Sequence, residues 1–228
     1  SESSPFPAFS TSRHMEHWSI AKPAVQAEGG VVVSQHYQAA EAGARVLAQG
    51  GNAVDAAIAA GFALGAVEPW MSGLGGCGFM TVYLADTGKS YAVEFGVRAS
   101  GTLNPDDYPL SSGFDSDLFA WPGVVDNRNV LGPHSVAVPG YVAGLALAAD
   151  RFATLSWGEL LSPAISLVQQ GLTVDWYSSL KIASSAQDIA GFESTRSVYL
   201  PDGQVPMGHW AGSPPVIELK GLAQTLQQ

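Results

Sequence analysis

The hydrophobic pattern is densest from Gly50 to Val82, where GGNAVDAAIAAGFALGAVEPWMSGLGGCGFMTV places small or apolar residues at almost every position. A helix is predicted over residues 53–67. Asn52 opens it, because its side-chain oxygen can accept from the free N–H groups of the first turn, and Pro69 closes it. Asp55, near the positive end of the helix dipole, is the only charge before Glu68. A helix that is apolar on every side is a buried helix. Its alanines and glycines let other backbones come close, so it belongs between a sheet and neighbouring layers.

Around this segment the pattern divides into shorter pieces. Residues 30–34 form a β-branched run that reads as a buried strand, and residues 37–48 show helical spacing that stops at Gly50-Gly51. Residues 79–85 and 91–97 read as two strands around Asp86-Thr87-Gly88-Lys89, whose glycine can take the positive φ of a hairpin loop. That pair is antiparallel, which disfavours a doubly wound parallel sheet. Residues 101–128 are loop-rich, and 136–138 form a short strand ended by Pro139-Gly140. Helices are predicted over 142–152 and 157–170, the second with Ser156 as N-cap, Gly171 as its stop and Pro163 inside, where it can split into two pieces. A helix over 175–190, a Pro/Gly-rich loop through Pro215 and a last helix starting near Leu219 complete the reading. Residues 1–28, rich in Ser and Pro, read as an N-terminal arm, and 29–228 as the main body.

Composition sets outer bounds. The 228 residues are 46% hydrophobic and only 13% charged, enough to bury a sizeable core. A net charge of −10 gives no basic surface to neutralise phosphates, so no nucleic-acid partner is expected. The longest apolar run is about a dozen residues, short of the ~20 that span a bilayer, so no membrane partner is expected either. The protein is expected to be soluble, with cytoplasm and periplasm both open.

The candidate chemistry is sparse. Gly73-Leu74-Gly75-Gly76-Cys77-Gly78 is a backbone that turns sharply, but it follows a helix and opens a strand, the reverse of a dinucleotide-binding loop. Cys77 is the single cysteine, so no internal disulfide exists; without a base it reads as a buried small residue. His14 and His17 are too few for a zinc site, and Asp106, Asp107, Asp115, Asp117 and Asp126 lack the spacing of an EF-hand, so a solvated acidic loop and no metal are expected. There is no GxSxG elbow, no HExxH and no convincing nucleophile-base pair; no cofactor is implied.

The runs GGNAVDAAIAA, ALGAVEP and SGLGGCGF, with Val32-Val33-Ser34-Gln35-His36 and Ala40-Glu41-Ala42-Gly43 upstream and Ala137-Val138-Pro139-Gly140 and Leu160-Leu161-Ser162-Pro163-Ala164-Ile165 downstream, occur in one order. Together they resemble the N-terminal part of the gamma-glutamyltranspeptidase family, which includes cephalosporin acylases and small-amide hydrolases. The resemblance covers about residues 29–228. It implies an α+β fold, the four-layer αββα sandwich of N-terminal-nucleophile hydrolases, completed by a second chain. It also implies a zymogen that cuts itself, so that a threonine becomes the first residue of a partner β subunit and its free α-amine serves as base for its own hydroxyl. On that reading the catalytic nucleophile is not in this chain, and the substrate is a small-molecule amide.

The same resemblance locates a substrate-binding wall. In gamma-glutamyl enzymes the strand matching 91–97 ends in Asp-Phe-Arg-Glu-Thr-Ala-Pro, whose arginine pairs with the substrate's α-carboxylate. Here the stretch is Glu94-Phe95-Gly96-Val97-Arg98-Ala99-Ser100. Gly96 removes the bidentate guanidinium from its expected place, and Arg98 stands two residues on. Two residues along a strand restore the same face, so Arg98 can point into the pocket, displaced by about 6.6 Å, or lie at the surface paired with Glu94 or an Asp of the next loop. The leading expectation is an acylase or amidohydrolase. The alternatives are a true gamma-glutamyltransferase or glutathione hydrolase using Arg98, and a non-catalytic binding protein that keeps the fold.

Overall fold

The computed structural model describes residues 23–114, 119–209 and 211–228. His14, His17, Asp115, Asp117 and most of the expected N-terminal arm lie outside them. The chain divides into two units, residues 1–31 and 32–228, and the architecture below is that of the second.

Helices α1 (Tyr37–Ala48) and α2 (Ala53–Val67) are packed together, and α2 also packs on α3 (Tyr141–Phe152) and α4 (Trp157–Gln170). Helix α2 is the centre of the core. Ile58, Ala59 and Ala63 have no exposed surface, and Phe62 meets Tyr141 and Trp157 edge-on, with ring centroids 5.9 and 5.4 Å away. The expected cap is present as a reciprocal box: the Asn52 side chain accepts from the Val54 and Asp55 N–H groups, and the Asp55 carboxylate accepts from the Asn52 N–H.

Strands β1 (Gly78–Leu84) and β2 (Lys89–Phe95) form the expected antiparallel hairpin, with Gly88 at φ +64° in its turn. Met80, Val82 and Leu84 of β1, with Val93 and Phe95 of β2, face the core; Phe79 and Tyr83 stand exposed on the other face. Two further two-stranded antiparallel ladders are present: β3 (Leu110–Phe114) with β4 (Pro122–Val124), within the segment read as loop-rich, and β5 (Leu172–Thr173) with β6 (Val216–Ile217), in stretches between predicted elements. Between them, α5 (Trp176–Ser184), α6 (Ala186–Ala190) and α7 (Glu193–Tyr199) precede the last helix, α8 (Lys220–Leu226).

Several expectations are corrected. Residues 30–34 belong to no strand and pair with none among the described residues, and Val33 is 89% exposed. Their alternating burial has a strand's period without a ladder to join. The helix expected over 175–190 breaks at Ser185, and α7 was unforeseen because residues 193–199 bury no residue fully and so carry little apolar pattern. Conversely, α4 is one continuous helix despite Pro163. Its buried stripe of Leu160, Leu161, Ala164 and Val168 and its Ser156–Glu159 capping box hold it across the missing hydrogen bond. Cys77 is exposed, not buried. Among the described residues no helix is long and apolar enough to cross a membrane, and no group of three His, Cys, Asp or Glu side chains could hold a metal.

Candidate functional site

The candidate wall is built where β2 runs out. The strand's alternation buries Val93 and Phe95 and exposes Ala92 and Glu94, and its ladder with β1 stops at the pair Gly78 and Phe95. Gly96 and Arg98 therefore lie beyond the ladder, not on the strand expected through residue 97. What fixes their backbone is a single bridge: the Arg98 N–H donates to the Val138 carbonyl at 3.1 Å, and the Val138 N–H donates to the Arg98 carbonyl at 2.8 Å. This bridge also accounts for the short strand expected at 136–138.

Two glycines bring α3 onto that strand end. A Cβ on Gly140 would sit 2.6 Å from the Phe95 carbonyl oxygen and 2.9 Å from that of Gly96; a Cβ on Gly144 would sit 2.2 Å from Cβ and Cγ of Phe95. No alanine fits at either position without displacement. The Tyr141 N–H donates to the Gly76 carbonyl at 3.2 Å, so the glycine-rich loop is tied to the same point. Three segments thus converge: residues 73–78, 95–98 and 138–144. The sequence carried a signal for this, the Gly140 and Gly144 spacing of four that places both on one helix face, but nothing in it named Phe95 as their partner.

Gly75 and Gly76 work differently from that pair. Neither has a positive φ, and a Cβ at Gly75 would meet nothing within 4 Å. Gly96 is similar: a side chain there would enter open space, so packing does not impose glycine at this position. The Arg98 side chain is exposed and makes no ion pair with Glu94 or with any other acid among the described residues.

The electrostatics identify no catalytic base. Burial pushes the Tyr141 phenol up to about 12, so it stays protonated near neutral pH. Burial also raises the Asp55 carboxyl, but a hydrogen bond from the Thr154 hydroxyl and N–H bonds from Asn52, Leu155 and Thr154 outweigh it and hold the group below the ordinary range. Asp55 is thus a structural anchor joining α2 to the turn between α3 and α4. His36 caps α1, its Nδ1 accepting from the Gln38 N–H at 3.2 Å. Among the described residues, no hydroxyl or thiol hydrogen-bonds a histidine ring. Clefts of about 670 Å³, between α7 and the β6–α8 segment, and about 460 Å³, between the start of α2 and β1, include neither Gly96 nor Arg98 in their linings.

Set against known proteins, the pattern of the family described as gamma-glutamyltranspeptidase matches residues 39–228. The chain belongs to the gamma-glutamyltranspeptidase family. It is 39% identical over 183 residues to the Acylase ACY 1 proenzyme of Pseudomonas sp. (strain V22), covering 80% of this chain and 32% of that protein. It is 35% identical over 175 residues to the Glutathione hydrolase proenzyme of Bacillus subtilis (strain 168), covering 77% of this chain and 28% of that one. The chain therefore spans about a third of the length of these relatives. Among solved structures, the gamma-glutamyltranspeptidase of Helicobacter pylori superposes with a TM-score of 0.77 at 27% identity, over 90% of this chain and 55% of that one. The fold class is accordingly the α+β class of N-terminal-nucleophile hydrolases, as expected.

Proposed function

We propose that this chain is the first-subunit part of a self-processed amide hydrolase of the acylase or amidohydrolase kind. The observation that carries the reading is Gly96. At the place where gamma-glutamyl enzymes of the family are expected to hold an arginine for the substrate's α-carboxylate, this chain has no side chain, and the neighbouring space is open. The similarity to an acylase proenzyme supports the same branch. The unpaired outer face of the β1–β2 hairpin and the unladdered residues 30–34 fit a partner β subunit that completes the sandwich.

The reaction follows from the partner's first residue. Its threonine hydroxyl attacks the amide carbonyl while its own α-amine takes the proton. The tetrahedral adduct collapses, the leaving amine takes that proton, and an acyl ester remains on the threonine. Water, deprotonated by the same amine, then releases the acid. This chain would contribute the wall formed by residues 95–98, with Gly96 leaving room for acyl groups that lack an amino-acid head and Arg98 available to a carboxylate placed further along.

A second reading is favoured by one observation, the exposed and unpaired Arg98. A true gamma-glutamyl enzyme could use it as a displaced clamp. One assay tests both. Hydrolysis of a gamma-glutamyl anilide, a glutaryl anilide and a neutral acyl anilide is compared in wild type and Arg98→Ala. The acylase reading expects weak gamma-glutamyl turnover; a strong gamma-glutamyl preference that Arg98→Ala abolishes would overturn it. N-terminal sequencing of the second chain, expected to begin with threonine, separates either enzyme from a binding protein.

A further inference from the structure

Helix α2 ends on acceptors alone. In a continuing helix the N–H groups of residues 69, 70 and 71 would bond the carbonyls of Gly65, Ala66 and Val67. Pro69 has no N–H, the Trp70 N–H reaches no backbone carbonyl, and the Met71 and Ser72 N–H groups both donate to the Glu68 carbonyl at 3.0 Å. Among the described residues, nothing donates to the carbonyls of Gly65, Ala66 or Val67, although all three residues are buried. The returning chain adds a fourth such group. The Ser72 carbonyl, also without a donor, has its oxygen 3.6 Å from the point that a Cβ on Gly65 would occupy.

Glu68 caps the same end of the helix. Asp55, the buried carboxylate at the other end, accepts from Asn52, Thr154 and Leu155. The Glu68 carboxylate, on a residue only 4% exposed, accepts no hydrogen bond and makes no ion pair among the described residues. The fully covered side-chain atoms without partners are Ser34 Oγ and Trp70 Nε1, and neither Glu68 oxygen is among them. The carboxylate therefore keeps a narrow opening.

An anion at the negative end of a helix dipole, beside four carbonyls and no donor, lacks a positive charge. At 1.5 Å per residue, positions 65 to 68 span about 4.5 Å along the axis, roughly the width of one ion's ligand shell. One carboxylate matches one positive charge. Calcium takes six to eight oxygens, commonly from several carboxylates, and magnesium keeps several waters, so neither suits this buried end.

We propose that the C-terminal end of α2 binds one alkali-metal cation, sodium or potassium, held by the Glu68 carboxylate and the carbonyl oxygens of residues 65–67 and Ser72. Because backbone carbonyls supply most of the ligands, no cluster of metal-binding side chains marks the place in the sequence. The site does not rest on the acylase reading.

The test uses the full protein that carries this chain, exchanged into tetramethylammonium chloride and titrated with sodium or potassium chloride at constant ionic strength. Thermal melting is the readout, since a ligand that binds only the folded state raises the Tm. A saturable rise is expected with at least one of the two ions. Glu68→Gln keeps the shape, removes the charge and brings amide donors to the carbonyls, so it is expected to fold and to bind the ion at least about tenfold more weakly. Asp188→Asn, which removes an exposed carboxylate from α6, should respond as wild type. If Glu68→Gln does not fold, wild-type crystals in tetramethylammonium and in the ion that raises the Tm are compared, with difference density expected between Glu68 and Ser72. A Tm indifferent to both ions, a response that Glu68→Gln leaves intact or Asp188→Asn abolishes, crystals without that density, or a basic side chain of another subunit seated on Glu68 would each overturn the proposal.

Discussion

At the scale of single residues, Asp55 shows what a sequence hides. The N-cap at Asn52 could be read directly, since capping is local. The bonds from Asp55 to Thr154 and Leu155 cross about a hundred positions, and no spacing rule reaches that far. Asp55→Ala leaves several buried donors unpaired, each worth about 1–3 kcal/mol, so destabilisation of about 2–4 kcal/mol is expected in urea unfolding. The pH dependence has a definite sign. The folded carboxyl titrates below its ordinary value of 3.8, so its contribution is complete above that pH and is lost as pH falls through the lower folded value. Wild type should lose stability below about pH 4, and Asp55→Ala should show a shallower acid slope; equal slopes would remove Asp55 from the account.

Glycines supply the second residue-scale lesson. Composition marked residues 73–78 only as a sharply turning backbone; the glycines at which Phe95 leaves no room are Gly78, Gly140 and Gly144, whereas a Cβ at Gly75 would meet nothing within 4 Å. A glycine's neighbour in space is not written in its neighbours in sequence. Gly75→Ala is therefore expected to change stability by no more than about 0.5 kcal/mol, whereas Gly144→Ala should cost about 1–3 kcal/mol by overpacking, both read from denaturant midpoints. A reversed order would mean that α3 does not sit on Phe95 as described.

At the scale of elements, legibility followed how strongly burial marks the sequence, by a period in α1 and α4 and by an unbroken apolar run in α2. α1, α2 and α4 have strong patterns with caps at their ends, and their observed bounds are the expected ones. α7 and the β3–β4 ladder were missed because they are short and largely exposed, so burial wrote little pattern into them; β5–β6 buries Leu172 and Ile217, but two residues per strand are too few to show a period. The junction of β2 with α3 is the element-scale feature closest to the proposed chemistry, and Gly140 tests it. An added methyl there pushes on the backbone carbonyls of Phe95 and Gly96, whereas at Gly144 it pushes on a side chain. If residues 95–98 form the substrate wall, Gly140→Ala should lower kcat/KM for the preferred anilide by about tenfold or more, since small misplacements are costly in catalysis. Gly144→Ala, matched for stability, should lower it less. Equal turnover in the two variants would place the wall elsewhere.

At the scale of the whole molecule, the described chain carries surface that a finished fold does not normally show. Phe79 and Tyr83 project from one face of the β1–β2 hairpin at 76% and 65% exposure, and Val33 stands exposed in a segment that belongs to no strand. Isolated exposed hydrophobes are ordinary, but two aromatic residues four apart on one strand face, with only Thr81 between them there, form a patch, and patches mark interfaces. On the two-chain reading, the partner β subunit covers this face. Phe79→Asp separates that reading from a role within the chain. Because Phe79 is exposed here, the substitution should change the chain's own stability by no more than about 0.5 kcal/mol. Across a covered interface the same aspartate would be a buried charge without a partner, costing several kcal/mol. The expected outcome is a sharp fall in assembled, processed two-chain protein, measured by size-exclusion chromatography and intact mass, while Thr81→Ser on the same face assembles as wild type. If Phe79→Asp matures and assembles in full, the partner does not dock on this face, and since the other face already packs on the chain's own core, the hairpin is not where a second chain completes an αββα sandwich.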